Sequence, residues 1–146
     1  MRKNLLILTL FMALSTLTFA QQNYEWALGV RGGNPAGFTA KKFFEERVSG
    51  ELIVGIDFNR GFGVTGLGEY NFYLTEGANW YFGGGISMYG ENEGFSFGFD
   101  AIAGVEFTLP IFPINFGVDY KPSYVFGNFS GFDPTNFGFS IRYVIR

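Results

Sequence analysis

From Trp26 to the end of the chain, large apolar side chains alternate with small or charged ones in eight runs, separated by breaks of only a few residues. The clearest run is Phe95, Phe97, Phe99, Ala101, Ala103, Val105, Phe107 and Leu109, interleaved with Ser96, Gly98, Asp100, Ile102, Gly104, Glu106 and Thr108. Successive side chains of a strand point to opposite faces, so this segment has one apolar wall and one largely polar wall. It outruns the usual strand of roughly 5 or 6 residues and suits a tilted bilayer span of about 9 to 11 residues with projecting ends.

Volume decides which wall faces inward. The apolar wall carries most of the 20 Phe, whereas the polar wall is Gly, Ser and Thr with isolated charges. An eight-stranded barrel has an interior only just wide enough for side chains to fill, so the bulky set is expected outside. In water that would expose far more than the few hundred Å² of apolar patch a soluble monomer tolerates; in a bilayer it is the required surface.

Residues 1–20 are expected to be a cleaved export signal: Arg2 and Lys3 form a basic start, Leu5 to Leu17 an apolar core, and Thr18-Phe19-Ala20 a small-x-small cleavage site. The mature part, 21–146, is then one outer-membrane barrel domain, with about 16 residues per strand plus turn. Its charge is −5, eight basic against thirteen acidic residues, without a basic cluster for nucleic acid. With no Cys and no His, thiolate metal sites, disulfides and the commonest general base are excluded, and no cofactor or metal is expected. Gly83-Gly84-Gly85 lacks the Lys-Ser or Lys-Thr of a phosphate loop, and Glu91-Asn92-Glu93-Gly94 lacks calcium-loop spacing. An enzyme is not expected.

Strands are predicted at Glu25 to Gly32, Gly37 to Phe44, Gly50 to Phe58, Phe62 to Leu74, Asn79 to Tyr89, Phe95 to Leu109, Ile114 to Phe126 and Phe137 to Ile145. Turn chemistry marks the breaks, as in Gly33-Asn34-Pro35-Ala36 and Thr75-Glu76-Gly77-Ala78. Short connections imply an all-β, antiparallel, up-and-down transmembrane barrel closing its first strand on its eighth. Two details strain the pattern. Lys41 and Lys42 are adjacent, so without a bulge one of them must face lipid, where Lys42 near the periplasmic end can snorkel, and Pro122 inside the seventh run marks a bulge or kink.

The polar phase gives an inward set: Glu25, Arg31, Lys41, Glu51, Asp57, Glu69, Asp100, Glu106, Asp119, Lys121 and Arg142. The expected outcome is a hydrogen-bonded ion network that plugs the lumen; the alternatives are a narrow cation-preferring pore and a secreted lipocalin-like carrier with its apolar wall inside. Across the closing seam, Glu25 and Arg142 are expected to form an ion pair, direct or relayed through Asp119 or Lys121, while Arg60 is expected in an outer loop. Aromatics at the strand ends are expected to form interface girdles: Trp26, Phe44, Phe72, Trp80 and Tyr143 toward the periplasm, and Phe58, Phe62, Tyr89, Tyr124 and Phe137 toward the exterior.

The stretches Gly83 to Ser87, Ile102-Ala103-Gly104-Val105-Glu106-Phe107, Pro113-Ile114-Asn115-Phe116, Asp119-Tyr120-Lys121-Pro122-Ser123 and Gly138-Phe139-Ser140-Ile141-Arg142-Tyr143, with Gly37-Phe38-Thr39 and Asn79-Trp80-Tyr81, span nearly all of the mature part. In these the chain resembles the small outer-membrane β-barrel proteins of Bacteroidetes-type bacteria, porin-like barrels of the OmpX-like kind. The resemblance implies an outer-membrane location in a Gram-negative envelope and insertion by the barrel-assembly machinery. It implies no defined activity; the expected partners are that machinery and outer-membrane lipid, and the expected state is a monomer.

Overall fold

The computed structural model describes residues 24–91, 94–127 and 130–146; the segment read as an export signal lies outside them, as do Asn92 and Glu93. The described chain is all β: β1 Trp26–Gly33, β2 Ala36–Phe43, β3 Val48–Asp57, β4 Gly61–Thr75, β5 Ala78–Glu91, β6 Gly94–Thr108, β7 Ile114–Tyr120, β8 Ser123–Gly127, β9 Gly131–Asp133 and β10 Phe137–Ile145. Every pairing is antiparallel. β5 pairs with both β4 and β6, and β1 pairs with β10 from Trp26 opposite Ile145 to Gly33 opposite Gly138, so the sheet closes on itself. β7 with β8, and β9 with β10, are the two halves of interrupted strands, and the wall is an eight-stranded barrel.

Its strands are strongly tilted. From Ala27 the pairings run through Lys41, Glu51, Leu67, Gly85 and Asp100 to Ser123; in the other direction Ala27 faces Val144, whose N–H bonds to the Pro113 carbonyl. The two walks reach the same strand ten residues apart, at Pro113 and Ser123. Such a stagger belongs to a closed barrel whose strands lean roughly 35–45° from its axis. One end carries Tyr24 and the turns at Glu46 and Glu76; the other carries the β1–β2 tip and Arg60.

Alternation holds almost everywhere. On β6, Ser96, Asp100, Ile102, Glu106 and Thr108 are buried, while Phe95, Phe99, Ala101, Ala103, Val105 and Phe107 are exposed. The apolar wall is therefore outside, the opposite of what a lipocalin-like carrier requires. Lys42 stays on that outer wall and snorkels: its Nζ lies over the Trp26 and Phe44 rings at 4.8 and 5.7 Å and 3.8 Å from Glu25.

Pro122 does mark a bulge, which lies in the pairing with the following strand and not in the pairing with β6. Against β6 the register runs through unshifted: Ala103 faces Tyr120, Asp100 faces Ser123, and the Ala101 N–H donates to the Pro122 carbonyl. The extra residue lies on the facing strand. Tyr120 faces Phe137 and Ser123 faces Asp133, so Lys121 and Pro122 oppose Pro134, Thr135 and Asn136. Because of that insertion both Asp133 and Asn136 are buried although three positions apart.

Candidate functional site

The lumen is filled by side chains. Of the eleven residues predicted inward, Arg31, Lys41, Glu51, Asp57, Glu69, Asp100, Glu106, Asp119, Lys121 and Arg142 are buried. Glu25 is not: it precedes β1, its side chain is 64% exposed, and its neighbour is Lys42. The expected Glu25–Arg142 pair is absent because Arg142 faces Gly29, four residues beyond Glu25.

At the Tyr24 end, Arg142 reaches across the lumen from β10 to Glu51 on β3, with Nη2 2.5 Å from Oε1, and donates through Nη1 to Asn115 at 3.1 Å. Lys41 on β2 sits between Glu69 at 2.8 Å and Glu106 at 3.2 Å, with its Nζ 4.0 Å from the centre of the Tyr81 ring. Glu106 also accepts from the Tyr24 hydroxyl and from Asn79, both at 3.0 Å. Thr39 donates to Glu51, and Ser49 to Glu69 at 3.2 Å. These charges share one buried compartment, so each is tolerable only because opposite charges and amide or hydroxyl partners surround it.

Midway, two further pairs bridge strands. Arg31 on β1 binds Asp119 on β7 at 2.6 Å, passing over Gly138 of β10, where a Cβ would lie 2.2 Å from the guanidinium. Lys121 binds Asp100 at 2.8 Å, with Ser123 donating to the same carboxylate. Beside them lies an apolar layer of Ile53, Leu67, Tyr81 and Ile102, inward residues that a polar-phase reading passes over.

At the far end Asp57 closes its own turn, accepting the Asn59 N–H at 2.8 Å, and so aims Arg60 back into the barrel. Arg60 Nη1 lies 3.2 Å from Asp57 and 3.0 Å from Asp133, with its Cζ 5.6 Å from the centre of the Tyr89 ring. Two expectations change here. Arg60 is a buried bridge rather than an exposed loop residue, and Tyr89, 1% exposed, belongs to the lumen rather than a girdle. Tyr89 is in phase with Asn79, Tyr81 and Ser87, and its ring fills the space over Gly63 on β4, where a Cβ would lie 2.4 Å from it. None of the other nine girdle aromatics is buried; Phe72 stacks on Trp80 with centroids 4.6 Å apart.

Sequence reading missed Arg60, Asp133, Tyr24 and the inward Asn71, Asn79 and Asn115. The asparagines share the phase of Glu69, Tyr81 and Gly117, so alternation contained that signal; Arg60 and Tyr24 lie outside strands, where phase carries none. Among the described residues no group of three or more carboxylates is placed to hold a metal ion. A surface cleft of about 430 Å³ at the Tyr24 end is lined by Tyr24, Phe43, Phe44, Glu45 and Arg146 among others. No protein family, curated protein or solved structure matches the chain.

Proposed function

We propose that this chain is an integral outer-membrane β-barrel whose polar lumen is plugged by its own side chains, a structural or interaction protein without catalysis. The observation that carries this reading is the inverted sidedness of the wall. Charged groups fill the interior, while Leu28, Phe38, Ile56, Phe62, Ile86, Phe99, Val118 and Phe139, on strands all around the barrel, stand 43% or more exposed. Such a belt is costly in water and is the surface a bilayer selects. With both termini in the periplasm, the Tyr24 end is periplasmic and the Arg60 end faces outward. Lipid is then the main partner, the barrel-assembly machinery acts during insertion, and the protein is a monomer.

Refolding residues 21–146 from urea into detergent tests this. The expected result is a β-rich far-UV spectrum with gel mobility that changes on boiling; a soluble mature chain without detergent, or a helix-rich spectrum, would overturn it.

One observation favours a second reading, a narrow cation-preferring pore. Seven buried acids face five buried bases among the described residues, and Glu51 Oε2, Glu69 Oε1 and Asp100 Oδ2 accept no hydrogen bond from them. Planar-bilayer recordings separate the two: silence supports the plug, and steady openings that weaken in Asp100→Asn support the pore.

A further inference from the structure

The barrel wall is not equally tall all round. β1 and β2 have eight residues each, whereas β4, β5 and β6 have 15, 14 and 15. The β1–β2 hairpin turns back at Asn34-Pro35, opposite Ile56 on one side and Phe137–Gly138 on the other. Above that tip the neighbouring wall continues through β9, which among the described residues pairs with β8 alone and is a free edge of the sheet. Backbone hydrogen bonds therefore do not close the circumference at this level.

Side chains close it instead. Arg60, from the β3–β4 turn, joins Asp57 on one flank of the gap to Asp133 of β9 on the other, at 3.2 and 3.0 Å. Below this bridge, Asn34 at the hairpin tip donates to Asn136 at 2.9 Å and accepts the Phe58 N–H at 3.0 Å. β9 is itself loosely held, with three pairings to β8 and the three-against-two insertion beneath it. The two sides of the gap differ in polarity. Phe58, Phe132 and Phe137 flank it outside, all more than 60% exposed, whereas Arg60 Nε, Tyr89 Oη, Ser87 Oγ and Asn136 Nδ2 are buried inside without a hydrogen-bond partner among the described residues.

We propose that this gap is a lateral gate latched by Asp57–Arg60–Asp133, through which the polar head of a membrane amphiphile reaches the upper lumen from the outer leaflet. A closed ladder of backbone bonds opens only by unzipping a strand, whereas this segment opens by parting one three-residue ion bridge and one amide pair. The apolar flanks suit the tail, and the bare donors within suit a head rich in hydrogen-bond acceptors. The gate rests on the membrane reading above, and its test is arranged so that the two fail separately.

The chain has no cysteine, so single thiols report cleanly. In lipid vesicles, Ser87→Cys on β5, across the barrel from the gap, would be labelled by N-(1-pyrenyl)maleimide dissolved in the bilayer and, separately, by a charged water-soluble methanethiosulfonate. Val118→Cys on the outer wall and Ser49→Cys near the Tyr24 end serve as references. Arg60→Met is expected to speed pyrenylmaleimide labelling of Ser87→Cys by about tenfold or more, since loss of a latch shifts the open population by at least that order. Ser49→Cys is expected to be unchanged, and Arg60→Lys to label slowly. Asp133→Asn, which removes one carboxylate charge, should shift labelling the same way, with boiling-dependent gel mobility verifying the fold of each variant. Equal gains with the charged reagent would make Arg60 a lid on the axial mouth and overturn the lateral gate, as would no gain with either. Ready labelling of Val118→Cys by the charged water-soluble reagent would instead overturn the membrane reading, and the gate with it, because a lipid-facing thiol is shielded from that reagent.

Discussion

Arg31 and Asp119 meet across a whole intervening strand, Nη2 to Oδ1 at 2.6 Å, because Gly138 between them has no side chain. A long cation from β1 can pair with β7 only if β10 offers bare backbone at the crossing point. Gly138→Ala places a methyl 2.2 Å from the guanidinium, and Arg31, also bound to the Pro35 carbonyl, cannot withdraw without losing a bond. Gly138→Ala is expected to cost about 1 to 3 kcal/mol in urea unfolding. In the Arg31→Met background the same substitution should cost much less, and a double-mutant cycle measures the difference.

Arg142→Met should be among the most damaging single changes, at roughly 3 to 5 kcal/mol, because it leaves buried Glu51 without its ion-pair partner, while Glu106 keeps Lys41 at 3.2 Å. Glu51→Gln should partly restore stability, as it removes the carboxylate nearest the lost guanidinium, 2.5 Å away. Glu25→Gln should restore nothing, since Glu25 is exposed beside Lys42. Equal rescue by both would show that Arg142 acts through the overall charge of the protein rather than through its neighbours.

The Lys42–Glu25 contact makes the opposite case. At 3.8 Å, with both side chains partly exposed, it should contribute under about 1 kcal/mol. Lys42→Met keeps the stem over Trp26 and should leave the unfolding midpoint almost unchanged, whereas Lys41→Met, one residue away but inward, should lower it sharply. Similar midpoints for the two variants would contradict the inward and outward assignment of β2.

Alternation alone carried the strand count, the closure of the wall and ten of the eleven inward charges, because a period of two survives wherever a ladder is continuous. It failed where the chain leaves the ladder. Extending β1 by one residue too many puts Glu25 inside, and a turn has no phase to give Arg60 an inward signal, although Asp57 directs its side chain inward. The placement of Tyr89 is a different case: its phase was legible, but its size suggested an interface, and only the bare Cα of Gly63 beside it makes room for the ring. Which charges pair was not legible at all. Arg142 crosses the lumen to β3 instead of joining its seam neighbour, and such cross-barrel contacts depend on tilt and stagger that no single strand encodes.

Tyr24 stands outside every strand and yet is buried at one end of the barrel. Its ring packs edge-on against Phe43 with centroids 5.1 Å apart, beside Ala27 and Val144, and its hydroxyl donates to Glu106 at 3.0 Å. Tyr24→Phe removes the hydrogen bond alone and should cost about 1 kcal/mol, while Tyr24→Ala also forfeits the ring and should cost about 3 to 5 kcal/mol. Neither should open a conducting path, because Ile53, Leu67, Tyr81 and Ile102 form a second, apolar closure farther in. Planar-bilayer recordings of Tyr24→Ala are therefore expected to stay silent. Steady cation current from that variant would mean that one ring was the only barrier, and the protein would then be better described as a pore with a stopper than as a barrel filled along its length.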